Sequence, residues 1–290
     1  MHMKFARIIL LLGLAGTFGI SSADERLDLL KHISAAGAPN LTLKMLDQAQ
    51  PKIDEDLYEW ILWEQERLAI LAQWQQWDKL LVRIEGLPED IPTQFKRQAA
   101  TYEARAFLQL GQTRTAREVL RQQLWQSGAI ESGEYETWRR QVVESYLGDG
   151  RIEDARVALL RFDQDFDSDD LDWLLLRARV LIEAERYEQA ILILQDHKTW
   201  KARLTSLYAS FKLNRIDKAE LWRQVKKRSA GENLDVGESA TLWALAYYAA
   251  QQMAAVDRVV ALESLFRSSQ PSPLQLFQMP VDLLWQAYLE

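Results

Sequence analysis

One local pattern returns along this chain and limits its fold more than any other feature. An apolar segment of helical period gives way to a short polar turn. An aromatic residue or Ile follows, then two polar residues and a small one that opens a second apolar segment. The pattern reads AILAQWQQWDKLLVRI at 69–84, AFLQLGQTRTAREVL at 106–120 and SYLGDGRIEDARVAL at 145–159. It returns as RVLIEAERYEQAILIL at 179–194 and ASFKLNRIDKAELW at 209–222. Weaker copies stand at ISAAGAPNLTLKML (33–46) and YYAAQQMAAVDRVVAL (247–262). The residue opening each second segment is then Leu41, Leu80, Ala116, Ala155, Ala190 or Ala219, at separations of 39, 36, 39, 35 and 29. Self-similarity at such a period marks stacked helix pairs.

Packing explains the residue types. A helix pair buries one face internally and needs neighbouring pairs to cover the other. The small residue lets two helices approach closely, and Trp77, Ile152, Tyr187 or Ile216 before it fills the wedge beneath. Gly111, Gly150, Glu185 and Asn214 stand where the first helix must stop. Leu120, Leu159 and Leu194 lie four residues after their Ala, one turn along the same face. Glycine (12) and proline (7) are too scarce in 290 residues for a β-sandwich or barrel, which needs a turn about every 10 residues. The expected fold is all-α, a right-handed superhelical array of antiparallel helix hairpins.

The segments YLGDGRIEDARVALL (146–160) and LIEAERYEQAILIL (181–194) carry Gly-x-Ile or Glu-x-Tyr, then two residues, Ala, and a large residue four later. In this the chain resembles the tetratricopeptide repeat (TPR) family, over roughly residues 55–265. Its spacing is irregular, its outer units are degenerate, and the proline that often closes a unit stands only as Pro51 and Pro88. The resemblance implies a TPR-like α-solenoid whose concave face binds a partner. Breakers cluster at Gly86–Pro92, Ser127-Gly128, Ser132-Gly133, Gly231–Gly237 and Ser268–Pro273. None is long enough for an interdomain linker, so residues 24–290 read as one continuous repeat domain. After Pro280, VDLLWQAYLE has an apolar face and no stop signal, as expected of a cap on the last unit or of a longer natural chain.

Residues 1–23 read as a secretory signal peptide. Lys4 and Arg7 precede an uncharged stretch from Ile8 to Ile20, and Ser21-Ser22-Ala23 offers small residues for cleavage after Ala23. No later segment is long and uncharged enough to span a bilayer. The expected location is the periplasm of a two-membrane bacterium.

Charge and residue types exclude much chemistry. Lys and Arg number 35 against 42 Asp and Glu, a net −7, which disfavours nucleic acid as a partner. The best basic run is only Lys226-Lys227-Arg228. With no cysteine there is no disulfide, thiolate metal site or cysteine nucleophile. The histidines are His2, His32 and His197; the last two lie at helix ends and read as caps. The run Asp163–Asp170 imitates an EF-hand loop but has Ser168 where Gly belongs and Leu174 where Glu belongs. It reads instead as a helix start, with Ser168 as cap and Asp169, Asp170 and Asp172 facing the positive end. No catalytic residue, metal or cofactor is expected.

Trp60, Trp63 and Trp74 share one helix face by spacing, with Trp77 beyond them. They could form a stacking platform for sugar rings, but inter-repeat packing is the preferred reading. The partner-facing positions of the concave surface are Arg105, Arg140, Glu144, Arg179, Tyr208 and Lys212. Three arginines there make a basic stripe suited to an acidic peptide or a C-terminal carboxylate. The expected function is a non-catalytic, exported scaffold for protein–protein contacts in the cell envelope. The rival reading is the superhelical, non-catalytic module of a lytic transglycosylase-like or export/assembly protein. The catalytic Glu-Ser pair of such transglycosylases occurs as a dipeptide at Glu131-Ser132, Glu144-Ser145, Glu238-Ser239 and Glu263-Ser264, without the motifs that surround it.

Overall fold

The computed structural model describes residues 23–125 and 132–231, together with Val260. The described residues form helices joined by short connections, and no strand occurs among them. The fold is all-α. In chain order the helices are α1 (Ala23–Ala35), α2 (Pro39–Ala49), α3 (Leu57–Gln73), α4 (Trp77–Glu85), α5 (Thr93–Gln109) and α6 (Thr113–Trp125). Then follow α7 (Ser132–Gly148), α8 (Ile152–Asp165), α9 (Leu171–Glu183), α10 (Tyr187–Leu194), α11 (Trp200–Lys212) and α12 (Lys218–Gly231). The proposed leader lies outside the described residues except for Ala23, which opens α1. The segments 247–262 (apart from Val260), 268–273 and 281–290 lie outside them too. Ser132 and Gly133 belong to the first turn of α7 rather than to a loop.

Each odd-numbered helix ends in the same way. At the α1–α2 turn Gly37 takes φ +93°, its N–H donates to Ser34 O, and the next N–H, of Ala38, donates to Ile33 O. The same nested pair of bonds recurs around Gln75, Gly111, Gly150, Glu185 and Asn214, with φ between +54° and +74°. This is the Schellman closure, which satisfies the last carbonyls of a helix and needs a left-handed residue. In five of these turns the following residue already accepts the first hydrogen bond of the next helix: Ala38, Gln76, Gln112, Arg151 and Arg186. Ala38, Gln76, Arg151 and Arg186 therefore cap with backbone geometry alone, without a side-chain bond. Odd-numbered helices start differently, because the connections before them are looser. Asp56, Asp170 and Thr199 accept the N–H of Glu59, Trp173 and Ala202 at 2.9, 3.0 and 3.4 Å. Asp170, not Ser168, is thus the cap of α9; Ser168 Oγ donates to the Asp170 carboxylate at 2.8 Å and steadies it.

The turn also fixes what each even-numbered helix buries. The residue four after its cap is Thr42, Leu80, Ala116, Ala155, Ala190 or Leu221, and each is fully inaccessible. Two of the sequence-based choices therefore move. Leu41 is 40% exposed, because the cap at Ala38 turns Thr42 inward. Ala219 is exposed, because two residues are added between Asn214's turn and the cap at Asp217. One turn further, Leu46, Leu120, Leu159, Leu194 and Val225 complete a narrow buried stripe. Odd-numbered helices are buried on more sides. In α9, Trp173, Leu175, Leu176, Ala178, Val180 and Ile182 are all buried, as expected of a helix with neighbours around it.

The turn chemistry makes a two-sided prediction. Gly150→Ala forces a Cβ into the left-handed region and is expected to cost about 1 kcal/mol, although nothing lies within 4 Å of that Cβ. Glu185→Gly relieves the same strain and should raise stability by up to about 1 kcal/mol. Urea midpoints of both variants check the two signs.

The chain divides into two compact units, which meet within α7 at Gln141/Val142. In the first, α3 packs on α1, α2, α4 and α5. One core gathers Leu27, Leu30, Leu46, Trp63 and Ile70; a second gathers Trp60, Leu68, Leu71, Leu80 and Phe95 among others. Trp60 and Trp63 thus serve different cores on either side of α3, and Trp60 meets Phe95 edge-on at 6.2 Å. Trp74 donates its indole N–H to Ser34 Oγ, and Trp77 is half-buried against the second core. No stacking platform is formed. In the second unit, α9 packs on α8, α10 and α11. Phe162 and Trp173 stack at 3.9 Å within one core; Ala178, Ala190, Ala202 and Ala209 lie in the other.

Candidate functional site

The six partner-facing positions divide between the two units. In the first, Arg105 is exposed on α5, and Arg140 is half-covered on α7, bonded to Glu136 at 2.5 Å. In the second, Arg179 of α9 lies near Glu144 of α7. Withdrawal from water lowers the Arg179 guanidinium below its ordinary range, and Glu144 and then Glu183 act against that shift. Tyr208 is half-buried on α11, with the exposed Lys212 ammonium 5.8 Å from its ring centre. Arg140 and Arg179 therefore stand beside carboxylates. The charge at these six positions is mixed, not simply basic. Ser145, next to Glu144, is fully buried and donates its hydroxyl to Val142 O at 2.7 Å.

Two carboxyl groups of the first unit are perturbed. Burial pushes Glu66 of α3 above its usual value of 4.5, opposed by Lys31 and helped by Asp28. Burial alone raises Glu103 of α5. Near them, burial raises the Tyr102 phenol, while Arg105 pulls it down. A carboxyl whose pKa is higher folded than unfolded binds its proton better in the folded state. Its stabilising contribution is complete below about pH 4.5 and is lost as pH rises through the folded value. Glu66→Gln and Glu103→Gln should flatten this part of the profile, which urea midpoints read between about pH 4.5 and 7 will check.

A third constellation was not anticipated. Glu64 of α3 is completely buried, and Arg83 of α4 holds it with two bonds of 2.5 Å, from Nε and Nη2. Gln50, at the end of α2, donates to Glu64 Oε2 at 3.0 Å and to Trp60 O at 3.2 Å. Arg67, also buried, has Nε 3.4 Å from Glu64, donates through Nη2 to Gln50 Oε1 at 2.8 Å, and through Nη1 to Asp47. The bond to Glu64 raises the Arg83 guanidinium, against the effect of its burial. The network ties α2, α3 and α4 together behind a cleft of ≈ 580 Å³. Its one sequence signal was a Glu and an Arg three apart in the largely apolar helix LYEWILWEQERLAILAQ.

Among the described residues no group of three or more His, Asp or Glu could hold a metal ion, and no helix is long and apolar enough to cross a membrane.

No protein-family model matches the chain, and comparison with curated proteins and with solved structures gives no match either. What the protein does must therefore be argued from its own residues.

Proposed function

We propose that the chain is an exported, tetratricopeptide-like α-solenoid that holds protein partners in the bacterial cell envelope. The observation that carries this reading is the turn used six times, each time delivering a fully buried residue four positions after the cap. A fold built by repeating one step grows by addition and leaves a row of odd-numbered-helix side chains for a partner. Arg105, Arg140, Glu144, Arg179, Tyr208 and Lys212 belong to that row. Its mixed charges suit an extended polar peptide. The leader sequence supports export, and the protein is not an enzyme on this reading.

Photo-crosslinking in cells tests it. A crosslinking residue at Arg105 or Lys212 should give discrete adducts in the periplasmic fraction, while one at the exposed Glu118 of α6 should not. Identical adducts from all three positions, or none from Arg105 and Lys212, would count against the reading. Intact mass tests export: the full chain is 33.6 kDa, and cleavage after Ala23 leaves roughly 31 kDa. Purified protein should release no murein fragments. Turnover abolished by Glu144→Gln would restore the transglycosylase alternative.

A further inference from the structure

The cleft of ≈ 580 Å³ in the first unit carries positive charge that the Glu64 network does not use. Arg83 bonds to Glu64 through Nε and Nη2 only. Its side chain is 37% exposed and lines the cleft, and its Nη1 has no bond among the described residues. A planar guanidinium held side-on by one carboxylate keeps a second edge for another oxyanion. Lys44 of α2 and Lys79 of α4 line the same cleft. Lys79 donates to Gln76 at 2.9 Å, and neither lysine forms an ion pair among the described residues. Of the two acidic residues at the cleft, Asp47 is already engaged by Arg67, which leaves Asp78. The uncommitted charge is therefore basic, in a chain of net −7.

Helix packing does not require these cations. Lys44 stands two residues after Thr42, Lys79 one before Leu80 and Arg83 three after Leu80, counted from the buried residue four after each cap. The same positions about Ala155 and Ala190 hold Val157, Gln189 and Ile193. The second unit thus forms the same helix pairs with none of the three charges. The cleft has an apolar side as well. Leu43, Leu71 and Val82 line it, and Val82 is 70% exposed. Its volume falls within the range of about 300–1,000 Å³ usual for small-molecule sites, which are mostly apolar with a few placed polar groups.

We infer that this cleft binds a small organic anion, a carboxylate or phosphate group carried on an apolar body. The oxyanion takes the free edge of Arg83 and the ammonium groups of Lys44 and Lys79. The apolar body covers Val82 and rests against Leu43 and Leu71. Glu64 holds the Arg83 fork in place before the ligand arrives, which lowers the ordering cost of binding. The inference goes beyond the protein-binding reading above and uses a different surface, so either can fail without the other.

The test is a methyl NMR titration of leucine- and valine-labelled protein with two probes that share one body, 4-phenylbutyrate and 3-phenylpropyl phosphate. At least one should shift the methyl signals of Val82 and Leu71 and saturate, and the tighter of the two names the headgroup. The neutral 4-phenylbutanamide should bind at least tenfold more weakly. Lys44→Gln combined with Lys79→Gln, both at exposed positions, should weaken the tighter probe about tenfold, as expected for lost charge-assisted bonds, and leave the urea midpoint unchanged. Val82→Ser, also exposed, should weaken it several-fold through the lost apolar contact. Three outcomes overturn the inference: no saturating shift at Val82 and Leu71 from either anion, equal binding of the amide, or undiminished affinity in the lysine double variant.

Discussion

Glu64→Ala is expected to lower the stability of the first unit by about 3–5 kcal/mol, because it leaves buried arginine charge without its counter-ion. Arg67 is covered almost completely and Arg83 about two-thirds, so neither guanidinium can turn fully to water. The double change Glu64→Leu with Arg83→Ile installs Leu174 and Ile193 of the second unit, which stand 16 residues before and three after Ala190 as Glu64 and Arg83 do about Leu80. Exchange of a buried ion pair for apolar residues of similar volume is often neutral. The double variant should therefore recover about half or more of the loss, with Arg67 still held by Asp47 and Gln50. Urea denaturation of the two single variants and the double gives the coupling directly. A double variant as unstable as the sum of the singles would mean that the two units do not share a common packing plan.

Trp173→Ala should cost the second unit about 3–5 kcal/mol through lost burial and the cavity left behind. Trp173 is 1% exposed, stacks on Phe162, and lies in the same core as Leu159 and Val180. Trp173→Phe keeps an aromatic face toward Phe162 and should cost clearly less than the alanine change. Thermal unfolding followed by circular dichroism orders the two. Equal losses would show that the site collapses around either side chain and that the stack contributes little.

Much of the fold could be read from local signals. Gly111, Gly150, Glu185 and Asn214 stand out as turn residues in the sequence, and each takes a positive φ. Leu120, Leu159 and Leu194 were placed on buried stripes by spacing alone, and all are buried. At Leu41 the reading counted one residue short of the regular spacing from Gly37, and at Ala219 it missed the two residues added between Asn214 and its cap. The turn within 69–84 was read, but Gln75 was not singled out as its left-handed residue. A glutamine with positive φ carries no compositional signal, unlike glycine or asparagine.

The functional surfaces were less legible. Arg105 and Lys212 are exposed, while Arg140 and Arg179 stand beside carboxylates that no local spacing announces. Nothing local marks Glu64 as buried, since its partners Gln50 and Arg83 are 14 and 19 residues away. Trp60 and Trp63, three residues apart, serve two different cores because α3 has neighbours on both sides. The sequence by itself determined that the chain is all-helical, where odd-numbered helices stop at Gly111, Gly150, Glu185 and Asn214, and the residue that four of the even-numbered helices bury first, Leu80, Ala116, Ala155 and Ala190. Those outcomes depend on dihedral limits and hydrogen bonds within a single turn of chain. Only the tertiary structure decided that Glu64 is buried between Arg83 and Gln50 and that Trp60 and Trp63 serve different cores. Burial and charge compensation are properties of neighbours brought together from distant helices, and no window of local sequence contains them.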